Sequence, residues 1–240
     1  MNVEHSGRSG TLICYGDSNT YGYAPTIYGS FRYSEESLWP SLLAEKIGRT
    51  TENCGLCGRE IPRSDRQIEA VRSLVRRMAE PAEAIHRPAV NGAVPDEAES
   101  EGPSGGTEEE SSARAVPVRL LVMLGTNDLL KQGGFLAEDV TVRMEHFLTG
   151  LLQEPLLREP GRLCLVVPPA MQPGDWANEL RLIKESLRLN ETYAALARQQ
   201  NIPCIRTDDW DIPLVYDGVH FTEEGHRIFA DHLAACLREL

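Results

Sequence analysis

Residues 12–23 read LICYGDSNTYGY, and what this stretch does decides the fold. A short apolar run, 12–15, breaks into Gly16-Asp17-Ser18-Asn19-Thr20. Two readings fit it. The polar residues can be a strand exit and a helix N-cap, since Asp, Ser, Asn and Thr all cap helices well. Alternatively, the strand carries a serine to the edge of a sheet, where its hydroxyl can react. Taken alone, the turn is the commoner case, because short polar turns are frequent and catalytic serines rare.

Working outward, four more β-rich runs follow, at about 50–54, 118–124, 163–167 and 203–207. Helical patterns lie around them at roughly 36–47, 64–80, 137–153, 177–200 and 222–239. Most of the runs are apolar without strict alternation, as in strands covered on both faces of a parallel sheet. Within 177–200, Leu180, Ile183, Leu187, Tyr193 and Leu196 recur near one face. The last helix opens on Thr222 as N-cap, with Glu223 and Glu224 in its first turn, where acids suit the helix dipole. Its Ile228, Phe229, Leu233 and Leu237 are expected to face inward. Alternating strands and helices predict an α/β sandwich.

The 240 residues suffice for one substantial core, and 1–240 is read as a single domain. From 87 to 115 the helical and strand patterns stop. The segment is rich in Pro, Gly, Ser and Glu and has no aromatic residue, so it is expected to be a disordered surface insert rather than a domain boundary. A tolerated insertion is the favoured reading over an acidic recognition segment. Residues 96–110 alone carry seven acids and no Lys or Arg, and so account for −7 of the net −12. An acidic body repels phosphate backbones, which argues against a nucleic-acid partner. No run approaches the length of a membrane helix, and the N-terminus lacks the apolar middle of a secretory signal, so a cytoplasmic location and no membrane partner are expected. Cys54 and Cys57 form a lone C-x-x-C with no second pair and no nearby His, which argues against zinc. The sequence leaves a homo-oligomer open.

In a parallel α/β sheet, ligands gather at the carboxyl ends of the strands. The loops at that edge would carry Gly16-Asp17-Ser18-Asn19, then Asn53-Cys54-Gly55-Leu56-Cys57-Gly58-Arg59, then Gly125-Thr126-Asn127-Asp128, and finally Asp217-Gly218-Val219-His220. A serine needs a base, usually a histidine oriented by a carboxylate, and His220 with Asp217 supplies both. The developing oxyanion needs donors already in place, for which the Ser18 N–H, the Gly58 N–H and the Asn127 amide are candidates. Each block by itself also reads as a turn or cap. Together they occupy four strand-end loops in one consistent chain order.

These four blocks resemble those of the SGNH (GDSL-type) hydrolases, from about residue 11 to 238 apart from the acidic insert. Gly16-Asp17-Ser18 matches the first block, with Asn19 where the namesake pattern has Leu; that position neighbours the nucleophile and lies outside the chemistry. Gly55-Leu-Cys-Gly58-Arg59 resembles the second block, Gly125–Asp128 the third, and Asp217-Gly-Val-His220-Phe-Thr-Glu-Glu-Gly-His the last. The arylesterase-like branch shares Leu-Gly-Thr-Asn-Asp-Leu and Gly-Leu-x-x-Arg with this chain. The resemblance implies a flavodoxin-like three-layer α/β/α sandwich with a five-stranded parallel sheet of order 2-1-3-4-5. It also implies a Ser18–His220–Asp217 triad, an oxyanion hole of Ser18, Gly58 and Asn127, and supporting roles for Asp17 and Asp128.

The expected reaction is hydrolysis of a small-molecule ester, in the short-chain acetyl or aryl class, through an acyl-serine and without metal or organic cofactor. Acyl transfer at the same site, or a non-catalytic binder that kept the fold, are the alternatives. Tyr21, Tyr23, Tyr28, Trp39, Trp176 and Trp210, with Phe31, Arg32 and Tyr33, are candidate pocket walls, although packing is the commoner role for such aromatics. Arg59 would suit a substrate carboxylate. Asp208, Asp209 and Asp211 are rival carboxylates for His220, and His5, His86, His146, His226 and His232 are weaker candidates for the base.

Overall fold

The computed structural model describes residues 10–26, 28–80, 117–131 and 134–240. The acidic insert expected at 87–115 lies outside them, as do His5 and His86. In chain order, strand β1 (Thr11–Gly16) runs into a short helix, α1 (Ser18–Tyr21), and a hairpin of β2 (Tyr23–Thr26) and β3 (Gly29–Arg32). A 3-10 turn (Glu35–Ser37) leads to α2 (Trp39–Ile47), β4 (Thr50–Gly55) and α3 (Asp65–Ala79). Then come β5 (Val118–Met123), α4 (Thr126–Leu130), α5 (Ala137–Leu151), α6 (Pro155–Arg158), β6 (Leu163–Val166), α7 (Leu180–Gln200), β7 (Cys204–Ile205) and α8 (Glu223–Glu239).

Five strands pair in parallel in the order β4-β1-β5-β6-β7. Counted along this sheet alone, the order is the expected 2-1-3-4-5. Helices cover both faces, which explains the continuous apolar runs. Ile13, Leu120, Val122, Leu163 and Leu165 pack toward α3, α5 and α7. Their neighbours Leu12, Cys14, Leu121, Met123, Cys164 and Val166 pack the other way, against α2 and α8. Of these five strands only β4 keeps polar residues, Thr50 and Glu52, exposed, as an edge strand can.

The structure corrects four details. The helix expected at 36–47 starts at Trp39, because Pro40 lacks the N–H that a helix interior requires and fits its first turn. The last strand spans two residues rather than five. In α7 the buried stripe runs through Leu182, Leu189, Tyr193 and Leu196, while Leu180 and Leu187 point to solvent. The β2–β3 hairpin, a two-stranded sheet of its own, was not expected. No helix among the described residues is long and apolar enough to cross a membrane.

Candidate active site

The carboxyl edge of the sheet is where β1 hands over to α1. Asp17 is the N-cap of this helix, and its Oδ1 accepts the Asn19 N–H at 3.0 Å. Ser18 is therefore the first helical residue, and no intrahelical carbonyl lies within reach of its own N–H. The turn sits tightly on the sheet. A Cβ on Gly55, the β4 partner of Gly16, would lie 2.0 Å from the Tyr21 nitrogen, so this approach needs a glycine.

Across from Ser18, the loop before α8 presents His220. Its Nε2 is 2.9 Å from Ser18 Oγ, and its Nδ1 is 2.7 Å from Asp217 Oδ2. Asp217 Oδ1 accepts the N–H groups of Val219 at 2.8 Å and His220 at 3.0 Å. All three side chains are buried, with Ser18 6% exposed. Burial alone would push the Asp217 carboxyl up, but the hydrogen bonds from the His220 ring and the two backbone N–H groups outweigh it and hold the group below the ordinary carboxylate range. An ionised Asp217 accepts only, so the His220 Nδ1 is the donor to it, and in the ring's one-proton form Nε2 presents its lone pair to the serine. The arrangement is chemically competent to deprotonate a hydroxyl and to stabilise the imidazolium that results.

The other two candidate donors stand on the loops after β4 and β5. Gly58 has φ +73°, a left-handed conformation that favours glycine, and a Cβ there would meet nothing within 4 Å. Asn127, near the start of α4, directs its Nδ2 to Arg59 O at 3.1 Å and, more weakly, toward Asp17 Oδ2 at 3.5 Å. Asp128 is fully buried, accepts the Ile61 N–H at 3.0 Å and pairs with Arg143 at 2.9 Å, thereby tying the β4 and β5 loops together. Burial raises Asp17 to about 6, against the lowering effects of the Asn19 N–H, His220 and Arg59.

Other candidates fall outside the reacting geometry. Arg59 spends its guanidinium on the Gly16 carbonyl at 2.7 Å and on the Cys54 carbonyl, over the Tyr15 ring, so it braces strand ends. Asp208 pairs with Arg206. His226 is buried against Tyr33 and Phe221, His232 stacks on Trp210, and His146 meets the Arg63 carbonyl. Trp39 is core, and Tyr28 is almost fully exposed. Two of the aromatics do reach the site. The rings of Tyr23 and Trp176 lie 4.7 and 5.0 Å from the His220 ring, and Trp176 is half exposed. The hairpin delivers the first, and the 168–179 loop, whose Trp176 and Ala177 N–H groups bond Asp217 O, delivers the second. A cleft of about 710 Å³ opens beyond Gly58 and Arg59, rimmed by Arg63, Arg77 and Lys131, and does not include Ser18 or His220. Among the described residues no cluster of His, Cys, Asp or Glu is arranged to hold a metal ion, and Cys54 and Cys57 are free thiols.

A parallel sheet with helices on both faces, reactive side chains on its carboxyl-edge loops and the strand order found here define the α/β architecture of the SGNH hydrolases. Residues 14–228 match the model of the GDSL-like lipase/acylhydrolase family, and the chain belongs to that family. Solved structures share the fold. An aryl esterase from M. smegmatis superposes with TM-score 0.66 at 22% identity, covering 97% of this chain and 100% of that one. A carbohydrate acetylesterase from Sinorhizobium meliloti gives 0.65 at 19% identity, covering 96% and 99%. A member of the lipolytic G-D-S-L family from Veillonella parvula gives 0.58 at 19% identity, again over 96% and 99%. A comparison with curated protein sequences finds no significant match.

Proposed function

We propose that the protein is a serine esterase that hydrolyses short-chain acyl esters, acetyl and aryl esters among them. The observation that carries the proposal is the continuous hydrogen-bonded path from Ser18 Oγ through the His220 ring to Asp217. As Ser18 Oγ bonds to the acyl carbon, its proton passes to His220 Nε2 and the carbonyl electron pair moves onto oxygen. That oxyanion rests on the Ser18 and Gly58 N–H groups and on the Asn127 amide, which gives up its long contact with Asp17 to do so. Collapse expels the alcohol oxygen, which takes the proton from Nε2. Water then gives a proton to Nε2 and attacks the acyl carbon; as this second intermediate collapses, Ser18 Oγ leaves, takes the proton back from Nε2, and the acid departs. The half-exposed Trp176 beside His220 suits the flat face of an aryl or sugar group. The acetylesterase and aryl esterase activities of the structural relatives point the same way.

The test is a panel of p-nitrophenyl esters of rising acyl length, with a fluorophosphonate probe for the nucleophile. Turnover should be greatest on the shortest acyl groups, and the probe should label wild type and not Ser18→Ala. A wild-type protein inert to both the panel and the probe, or a Ser18→Ala variant with full turnover, would overturn the proposal.

A further inference from the structure

Asn19 is the residue by which this chain departs from the Gly-Asp-Ser-Leu pattern. Its side chain does not face solvent or the open side of the site; Asn19 is 5% exposed. Its Nδ2 donates to the Val219 carbonyl at 3.0 Å, and its Oδ1 accepts the Phe221 N–H at 2.9 Å. Val219 and Phe221 are the two neighbours of His220. One amide therefore grips the backbone on both sides of His220, from the residue that directly follows Ser18. The gripped residues are themselves buried, at 5% and 0% exposure. Asn19 is in turn fixed, since its N–H is the one capped by Asp17.

We propose that Asn19 is a positioning residue that sets the place of His220 relative to Ser18, a role that rests on the esterase reading above. The Ser18–His220 contact joins loops 202 residues apart in sequence. Other bonds also support this loop: Asp217 on the His220 N–H and the Val215 N–H on the His220 carbonyl within it, the Gln172, Trp176 and Ala177 N–H groups from the 168–179 loop, and the Tyr33 hydroxyl on the Phe221 carbonyl. They shape the loop but do not refer it to the nucleophile. The Asn19 amide does, because its backbone belongs to the nucleophile's turn. Leu is close to Asn in size and can make neither bond, so it would leave two buried backbone groups unpartnered and free the loop to settle elsewhere. A shift of about 1 Å between reacting groups can reduce turnover about 100-fold.

The experiment compares wild type with Asn19→Leu and Asn19→Asp on p-nitrophenyl acetate. Thermal melts, fluorophosphonate labelling rates and the far-downfield proton resonance of His220 Nδ1–H are measured alongside. Asn19→Leu should lower kcat roughly 10- to 100-fold with KM little changed. It should slow labelling in parallel and broaden the Nδ1–H resonance. Asn19→Asp keeps the acceptor for the Phe221 N–H but sets a second acceptor against the Val219 carbonyl, so its kcat should also fall below wild type. A folded Asn19→Leu with wild-type kcat and an unchanged resonance overturns the proposal. So does failure of both variants to fold, which would make Asn19 a part of the fold alone. If Ser18→Ala is inactive while Asn19→Leu is fully active, only the positioning role is lost; if Ser18→Ala retains turnover, the esterase reading itself fails.

Discussion

The two oxygens of Asp217 have separate tasks, and one substitution can divide them. Oδ1 takes the Val219 and His220 N–H groups, and Oδ2 faces His220 Nδ1 at 2.7 Å. In Asp217→Asn the amide oxygen can still serve the two backbone donors, which turns the NH₂ toward Nδ1. Two donors cannot share that contact, so the ring must put its lone pair on Nδ1 and its proton on Nε2. Ser18 Oγ, 2.9 Å away, then meets a donor where it needs a base. The same tautomer reversal lowers kcat about 10⁴-fold in a serine-protease triad, close to 5.4 kcal/mol of transition-state stabilisation. A loss of that order is expected here with KM little changed. Asp217→Ala should behave differently toward heat. It strips both backbone donors of their acceptor inside a buried loop, at about 1–3 kcal/mol each. In a chain of this size, each kcal/mol lowers Tm by about 2–4 °C. The Asn variant should therefore melt near wild type, and the Ala variant several degrees lower. The assay is kcat and KM on p-nitrophenyl acetate beside melts of all three proteins. An Asn variant with kcat within tenfold of wild type would refute the assignment of His220 as a base oriented by Asp217.

Further outcomes follow from the same geometry. Asn127→Ala should lower kcat roughly 100- to 1000-fold, about 2.7–4 kcal/mol, and an unchanged kcat would remove Asn127 from the oxyanion hole. Burial raises Asp17 from 3.8 to about 6, so the folded state holds this proton more tightly than the unfolded chain does. The stability this brings is complete below pH 3.8 and is lost as pH rises through about 6, a change of about 3 kcal/mol. Asp17→Asn keeps an acceptor for the Asn19 N–H, and urea melts should show it gaining on wild type between pH 4 and 7; a pH-independent difference would contradict this. His226 runs the other way, since burial lowers it to about 3. Its contribution is present above pH 6.5 and is lost as pH falls toward 3, about 2 kcal/mol of it by pH 5. His226→Asn, which keeps an acceptor for the Trp39 N–H, should flatten that acid limb in thermal melts. Trp176→Ala should raise KM for aryl esters several-fold with little change in kcat, and equal KM values would exclude Trp176 from the pocket wall.

The sheet was legible because its central strands are buried on both faces, so a run such as 163–167 carries no polar interruption to confuse the period. The site loops were legible because cap residues and reactive residues are the same few types, placed where each strand ends. Where sequence reading went astray, polar residues sat in apolar surroundings. In α7 the inward stripe includes Glu185, Ser186 and Asn190, which are buried because each has a backbone partner: the Ala137 N–H, the Met171 N–H and the Thr207 N–H. A hydrophobic period cannot see them, so Leu180 and Leu187 were misread as core. The aromatic neighbours of His220 were named among nine candidates but could not be singled out. Tyr23 reaches the ring on a hairpin that has no clear strand pattern, and Trp176 on a loop whose path depends on its backbone bonds to Asp217 and Tyr216.

The length of the polar motifs now has a physical reason. The proposed acyl transfer needs one hydroxyl, one imidazole, one carboxylate and a few donors, yet the loops carry more polar groups than that. The surplus joins loop to loop. Asn19 links the Ser18 turn to the His220 loop, Asn127 bonds the Arg59 carbonyl, Asp128 bonds the Ile61 N–H, and Arg59 returns to the carbonyls of Gly16 and Cys54. Strand pairing fixes where each loop leaves the sheet, but it does not fix side chains beyond the edge to the fraction of an ångström that reaction demands. Hydrogen bonds from side chains to backbone across neighbouring loops supply that second level of order. Substitutions in this ring should therefore couple. Asn19→Leu and Asp128→Asn act on opposite ends of one connected set, and their combined effect on kcat should depart from the product of the single effects. Independent effects would mean that each loop holds its own shape without the others.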